Sequence, residues 1–497
     1  MNEQEFLAHH GLSRNPFSQE DASTDSVFRE HCLETSFHPA WDKVCGDPDL
    51  PATALVLGAK GAGKTAMRLQ LVRHYQQHNQ QHPNRRVFVV QYDDFNSQLG
   101  ALQQRLLPWR RSKPHKVLAA LRLTDHLDAI LQLAVTRLVD QLLGMEPAPG
   151  QLKETILQEA VDQLDRDQRR DLLLLAALYD QPEHGTYANR WKRLRRQLNF
   201  GNLATWYSLL TGGIGSLLAL LLVGYLVGRS SLNAGAALGW LVGLLLLVWS
   251  AWLWRAARYG WIAWRASRGL RMGRRELSGL WRALMAIPTP ELAAQPVTLP
   301  GRIDDRYSLL NKLQLLLRSL GYPSLIVLMD RVDEPDLVHG HPDRMRCLVW
   351  PLLDNKLLKH PGLGIKALLP IELQFFLDRE SREFHERARL DKQNLITNFN
   401  WTGQALYDLV ASRLKACATG DRDPQPVDLF AAPIDEARLM VVMQELATPR
   451  RLCRFMYQLV SEHCKQHRSS QALYQITPET FESVLAVLRA QAQSASS

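Results

Sequence analysis

The stretch Gly58-Ala59-Lys60-Gly61-Ala62-Gly63-Lys64-Thr65 fits the pattern G-x-x-x-x-G-K-[ST] at every fixed position. Each fixed residue type has a task around a phosphate. The glycines let backbone N–H groups turn inward around phosphate oxygens with no Cβ in the way. Lys64 is the cation that reaches the β- and γ-phosphates, and the Thr65 hydroxyl is a ligand for Mg²⁺. A helix opening at this point directs its positive end at the anion. The context that the pattern demands is present as well: the apolar run Ala54–Leu57 reads as a strand and Lys64–His78 as a helix. All eight residues, Gly58 to Thr65, are therefore assigned to phosphate, with ATP or GTP and Mg²⁺ as the expected ligands.

Such a loop needs an acid at the end of a neighbouring strand to hold Mg²⁺. The sequence offers one in Ser324-Leu325-Ile326-Val327-Leu328-Met329-Asp330-Arg331-Val332-Asp333-Glu334, where five apolar strand residues run into carboxylates. Asp330 is the expected metal ligand. Glu334 is the candidate for polarising the attacking water, with Asp333 close behind it. Further strands are expected at Val87–Gln91, Ile365–Leu369 and Leu395–Asn398, separated by helical stretches, which implies a parallel sheet. Asp93 and Asp94 follow one of these strands and are placed near the site or as caps of the next turn.

The run Leu328-Met329-Asp330-Arg331-Val332-Asp333-Glu334 resembles the extended Walker B motif of the KAP and NACHT branches of STAND-type P-loop NTPases. Membrane helices placed between Walker A and Walker B resemble the KAP family in particular. The resemblance covers roughly residues 50–95 and 300–465. It implies an α/β fold with a P-loop NTPase parallel sheet in the order 5-1-4-3-2, carrying a helical insertion with a two-helix transmembrane hairpin, and a C-terminal helical lid. Thr448-Pro449-Arg450-Arg451 resembles the sensor-2 arginine of such ATPases and makes Arg450 a catalytic candidate, since a guanidinium grips phosphate at two points. The chain departs from the family twice. Arg331 stands where KAP proteins usually carry an acid, and the fourth strand ends in Leu368-Leu369-Pro370 without a polar sensor residue.

Leu203–Gly228 and Ala236–Trp254 contain no charged residue. The second, at 1.5 Å per residue, spans about 28 Å against a hydrocarbon thickness of about 30 Å. Between Arg190 and Arg282 stand fourteen Lys and Arg and one acid, Glu276. The remainder of the chain, whose total is +9, is then left at −4, which assigns the basic excess to a membrane surface and leaves nucleic acid an unexpected partner. Nine of the thirteen tryptophans lie between Trp191 and Trp281, where an interfacial belt belongs. Both basic flanks, which include Arg274 and Arg275, place the two termini and the NTPase domain in the cytoplasm and the chain in the inner (plasma) membrane as a multi-pass protein. Gly224/Gly228 and Gly239/Gly243 have the spacing of close helix packing, within the hairpin or between subunits. Six scattered cysteines read as reduced thiols, and the polar Met1–His10 is no secretory signal.

The expected organisation is an N-terminal segment 1–50, core 51–97, helical insertion 98–196, hairpin 197–259, basic stretch and linker 260–300, core 301–401, helical lid 402–489 and a disordered tail 490–497. The leading function is a membrane-anchored ATP hydrolase acting as a nucleotide-dependent switch, with prokaryotic antiviral defence implied by the resemblance alone. An ATP-triggered pore or membrane effector is an alternative. So is an accessory ATPase of a secretion or DNA-handling assembly, because Gly11-Leu12-Ser13-Arg14-Asn15-Pro16-Phe17 resembles the start of ATPases accessory to bacterial secretion. Membrane lipid, a homo-oligomer and a protein encoded nearby are the partners considered.

Overall fold

All five expected strands form, and they join into one parallel sheet: β1 (Ala54–Gly58), β2 (Val87–Tyr92), β3 (Ser324–Met329), β4 (Leu363–Pro370) and β5 (Asn394–Ile396). The order is β2-β3-β4-β1-β5, which counted from the β5 edge reads 5-1-4-3-2. In the computed structural model the described residues are 2–106, 113–145, 160–182, 187–201, 203–229, 234–273, 276–288, 291–292, 295–296, 301–390, 393–420, 423–467 and 473–496. Residues 146–159 of the expected helical insertion, Arg274, Arg275 and part of the expected linker up to 300 lie outside them. β5 stops two residues short of the expected Asn398, since the backbone leaves the sheet after its pairing with Val56.

The chain divides into two compact units, Met1–Asp94 with Pro323–Ser497, and Phe95–Tyr322. Helix Ile303–Ser319 thus belongs with the insertion, and the second part of the core opens at Pro323 rather than at 301.

In the first unit, β1 and β3 are buried along their whole length, the pattern of a sheet covered on both faces. Helix Lys64–Gln81 packs Met67, Leu71 and Tyr75 against Val56, Val89, Ile326 and Leu368. The N-terminal segment and the C-terminal helices share one core: Phe6, Leu12, Phe17 and Phe28 pack among Leu406, Val410, Leu452 and Phe455. Gly11–Phe17 is the clasp. Ser13 N donates to Cys417 O at 2.9 Å, Thr419 N to Gly11 O at 2.7 Å, and Arg413 Nε to Pro16 O at 2.9 Å. Arg413 also forms a buried ion pair with Asp25 at 2.6 Å. The tail expected to be disordered continues the last helix, Pro478–Ser496, because its Ala and Gln residues are good helix formers.

In the second unit the expected helices are present. A helix within the expected helical insertion, Arg166–Tyr179, opens at Asp165, whose carboxylate accepts from Gln168 N at 2.7 Å. Two helices, Leu203–Arg229 and Ala234–Gly269, are long and apolar enough to cross a membrane. Their outward residues are apolar and uncovered, with Leu247 72% and Trp254 75% exposed. The second helix does not end near Trp254 but carries the basic, Trp-rich stretch on as far as Gly269, stacking Arg265 on Trp261 and Arg268 on Trp264. The two helices meet at Gly212 and Gly215, where a Cβ would come within 3.0 Å of Trp249 and 2.7 Å of Val248, and Trp249 Nε1 donates to Ser216 Oγ at 2.9 Å. The pairs Gly224/Gly228 and Gly239/Gly243 face open space, so neither packs the hairpin. Beyond the apolar helices, Arg306 is buried against Asp128 (3.2 Å), which also accepts the Tyr179 hydroxyl at 2.9 Å.

One buried cation sits in the sheet itself. Lys366, in the middle of β4, is fully buried and donates to Ala52 O at 2.7 Å and Cys45 O at 3.1 Å. Burial disfavours the ammonium and lowers its pKa from 10.5 to about 8. A folded value below the unfolded one means that the unfolded chain binds more protons between these two pH values, so stability rises with pH across that window. The thermal midpoint of the wild type relative to Lys366→Met, followed by fluorescence in detergent, is therefore expected to rise from about pH 7.5 to about pH 10. A difference independent of pH would show that the ammonium carries no folding penalty.

Candidate functional site

Parallel strands end on the same edge, and the register brings four ends together: Gly58 lies beside Pro370, Met329 beside Ala367, and Tyr92 beside Met329. The residues that follow β1, β2, β3 and β4 therefore share one rim, the place where open α/β sheets bind ligands. A cleft of about 350 Å³ opens there, lined by Lys60, Gly61, Gly63, Lys64, Thr65, Asp330, Arg331, Asp333, Glu334 and Arg450 among others.

The Gly58–Thr65 loop folds as its residue types require. Gly61 (φ +85°) and Gly63 (φ +94°) are left-handed, and Gly63 stands at the N-terminus of helix Lys64–Gln81. A Cβ on Gly61 would meet the Arg450 Cβ at 2.6 Å, so the bare backbone is what lets Arg450 lie over the loop. Ala62 is buried, and Lys60 points outward at the mouth. Lys64 Nζ donates to the loop's own carbonyls, Gly58 O at 2.7 Å and Ala59 O at 3.1 Å. Burial lowers the Lys64 pKa, a shift that Asp330, Asp333 and Glu372 oppose.

Thr65 Oγ1 donates to Asp330 Oδ2 at 3.1 Å, joining the two expected metal ligands. Asp330 is 2% exposed, and burial raises its pKa against the pull of Arg68, the Arg331 N–H, Thr65 and Lys64. Asp333 and Glu334 lie in the turn that follows. Arg331 adopts a left-handed backbone (φ +60°) and its guanidinium faces Glu334 at 3.7 Å. Partial burial still raises the Glu334 pKa, with Arg331 opposing and Asp333 and Asp330 adding to the rise. Of the two carboxylates, Glu334 is the one held by an ion pair.

Arg450 enters on helix Pro449–Gln466, whose N-cap Thr448 accepts from Arg451 N, and Arg450 N donates to Gly61 O at 3.3 Å. Thus Lys64, Thr65, Asp330, Asp333, Glu334 and Arg450, drawn from three distant stretches, line one cleft. Asp93 reaches the same group through Arg68, which lies 2.7 Å from Asp93 Oδ2 and 3.2 Å from Asp330 Oδ2.

Several lining residues carry no signal in the sequence. The Trp401 indole donates to Ala62 O at 2.8 Å and stacks its edge on His38, clamping the loop from the side of the C-terminal helices. Asp21, whose pKa is lowered chiefly by the Ser23 backbone N–H, and Glu372, just past the end of β4, add carboxylates to the rim. Arg68 is one helical turn beyond Lys64, a spacing that would have marked it as sharing that face.

Among the described residues no group of three His, Cys, Asp or Glu side chains could hold a metal alone. The hydroxyl–carboxylate pair of Thr65 and Asp330 fits a hard divalent cation that takes its other ligands from water and phosphate. A scan against protein-family models, a search of curated proteins and a search of solved structures each returned no match.

The contact between Gly61 and Arg450 makes a direct prediction. Gly61→Ala places a Cβ in the arginine stem and forces a left-handed alanine, so a loss of about 1–3 kcal/mol of stability is expected in urea unfolding. A neutral outcome would mean that Arg450 does not rest on the loop.

Proposed function

We propose that this chain is a membrane-anchored P-loop nucleoside triphosphatase that uses ATP or GTP with Mg²⁺ as a conformational switch. One observation carries the reading: the Gly58–Thr65 loop and Asp330, linked by the 3.1 Å Thr65–Asp330 hydrogen bond, meet at the C-terminal rim of a parallel sheet. The loop N–H groups and the positive helix end would bind the phosphates, and Lys64 would turn from its own loop carbonyls to the β- and γ-phosphates. Thr65 and Asp330 would hold Mg²⁺, which when bound neutralises charge between phosphate oxygens. Arg450 would reach the γ-phosphate from the C-terminal helices. Glu334 would orient the attacking water once Arg331 releases it. Phe28, Ala22, Leu409 and Cys453 supply apolar surface in the same cleft, suited to a base.

The exposed apolar helices Leu203–Arg229 and Ala234–Gly269 support a transmembrane hairpin, and their basic flanks support placing the NTPase in the cytoplasm. The anchor is favoured over a pore because the apolar spans contain no ionisable side chain to line a path.

Two outcomes are expected. Lys64→Ala should weaken binding of a fluorescent ATP analogue by about a hundredfold or more, while Glu334→Gln should keep binding and slow turnover by about 10²–10⁴-fold. Retained affinity in Lys64→Ala would remove the nucleotide role. The full chain should also stay in the membrane pellet through high-salt and alkaline washes; its release into the supernatant would remove the anchor.

A further inference from the structure

Arg68 is a buried cation at the metal position. It stands one turn after Lys64 on helix Lys64–Gln81, with its side chain 7% exposed. Its guanidinium spans two strand ends. Nη1 lies 2.7 Å from Asp93 Oδ2 and donates to Gln91 Oε1 at 2.6 Å, both at the end of β2. Nε lies 3.2 Å from Asp330 Oδ2, the same oxygen that accepts the Thr65 hydroxyl. The two grips differ in quality. Both carboxylate contacts are ion pairs without a hydrogen bond, but Nη1 lies closer to Asp93 and is anchored at the β2 end by its hydrogen bond to Gln91, whereas Nε has no hydrogen-bond partner.

We propose that Arg68 is the resting counter-charge of the Mg²⁺ position, and that binding of the cation moves the guanidinium off Asp330 and wholly onto Asp93. The inference rests on the nucleotide reading above and adds the means by which the site senses its metal. A guanidinium and a divalent ion cannot share one carboxylate oxygen without strong repulsion at such distances. Leaving Asp330 with neither would bury an uncompensated carboxylate, which is why a resident cation belongs there. Asp93 is the place to which Arg68 withdraws, already in ion-pair contact at 2.7 Å and more open to water than Asp330, at 27% against 2% side-chain exposure. It also sits at the end of β2, next to the point where the chain leaves the nucleotide unit for residues 95–322.

The test is Mg²⁺ titration of the binding of a fluorescent ATP analogue to the full chain in detergent. Removing the competing cation in Arg68→Gln should lower the Mg²⁺ needed for half-maximal binding by roughly tenfold. Removing its refuge in Asp93→Asn should raise that concentration by about threefold or more, because Arg68 is then held on Asp330. In the double variant the effect of Asp93→Asn should vanish, and Arg68→Lys should stay near the wild type. Opposite shifts support the relay. Shifts in the same direction, or an unchanged Mg²⁺ midpoint in Asp93→Asn, overturn it and leave Arg68 as a packing residue. Arg68→Gln removes a buried charge, so Asp93→Asn at the more exposed carboxylate carries the test if the first variant does not fold. Absence of nucleotide binding by the wild type at every Mg²⁺ concentration would overturn the nucleotide reading itself, a result distinct from a failed relay.

Discussion

The hydrogen bond from Thr65 to Asp330 joins residues 265 positions apart, and most of the first unit is arranged so that it can form. β1 and β3 are not neighbours; β4 lies between them and fixes the level of both. The parallel register then puts Gly58, Tyr92, Met329 and Pro370 on one rim. Because β2 and β3 pair directly, the 95–322 unit leaves from one end of β2 and returns to the opposite end of β3 without disturbing the sheet. Strand pairing is insensitive to the length of the connection, whose closure cost grows only slowly.

Charges taken out of water organise both units. Asp330 is tolerable in the core because Arg68, Thr65 and Lys64 surround it. Asp25 is matched by Arg413, which also binds the Pro16 carbonyl, so the N-terminal segment is tied to the C-terminal helices by a buried ion pair as well as by Phe6 and Phe17. Asp128 is answered by Arg306 and Tyr179 in the second unit. Lys366 is the exception: it donates to the Cys45 and Ala52 carbonyls rather than to a carboxylate, and burial lowers its pKa to about 8. Buried pairs of this kind add little net stability but are costly to break, so they fix the arrangement of segments more than they strengthen it.

In the apolar helices the same logic is replaced by shape. Gly212 and Gly215 let Trp249 and Val248 approach, and Trp249 donates to Ser216 across the same contact. The spacing of Gly224/Gly228 and Gly239/Gly243 was equally suggestive in sequence, but spacing does not say which face of a helix meets its partner. Rotation about the helix axis is decided by the bulky residues, here Trp249, that need the room.

Much was legible because it depends on local pattern. The loop Gly58–Thr65, the apolar strand that runs into Asp330, and the long uncharged stretches are each a short run whose chemistry is carried by adjacent residues. Helix continuity past Trp254 and the helix start at Asp165 were not, since propensity there is even and a cap or a neighbour decides. Trp401 and Asp21 were invisible as site residues, because nothing beside them in the chain marks them, and Arg68 was marked only by its one-turn spacing from Lys64. The sequence by itself determined which residues make the glycine-rich loop and which stretches are long, apolar and uncharged, as both follow from composition over a few turns. Only the tertiary structure decided that Arg68 bridges Asp93 and Asp330 and that Trp401 closes on Ala62. These contacts depend on the register of separate strands and on where buried charges find partners, and neither is encoded at any single stretch of chain.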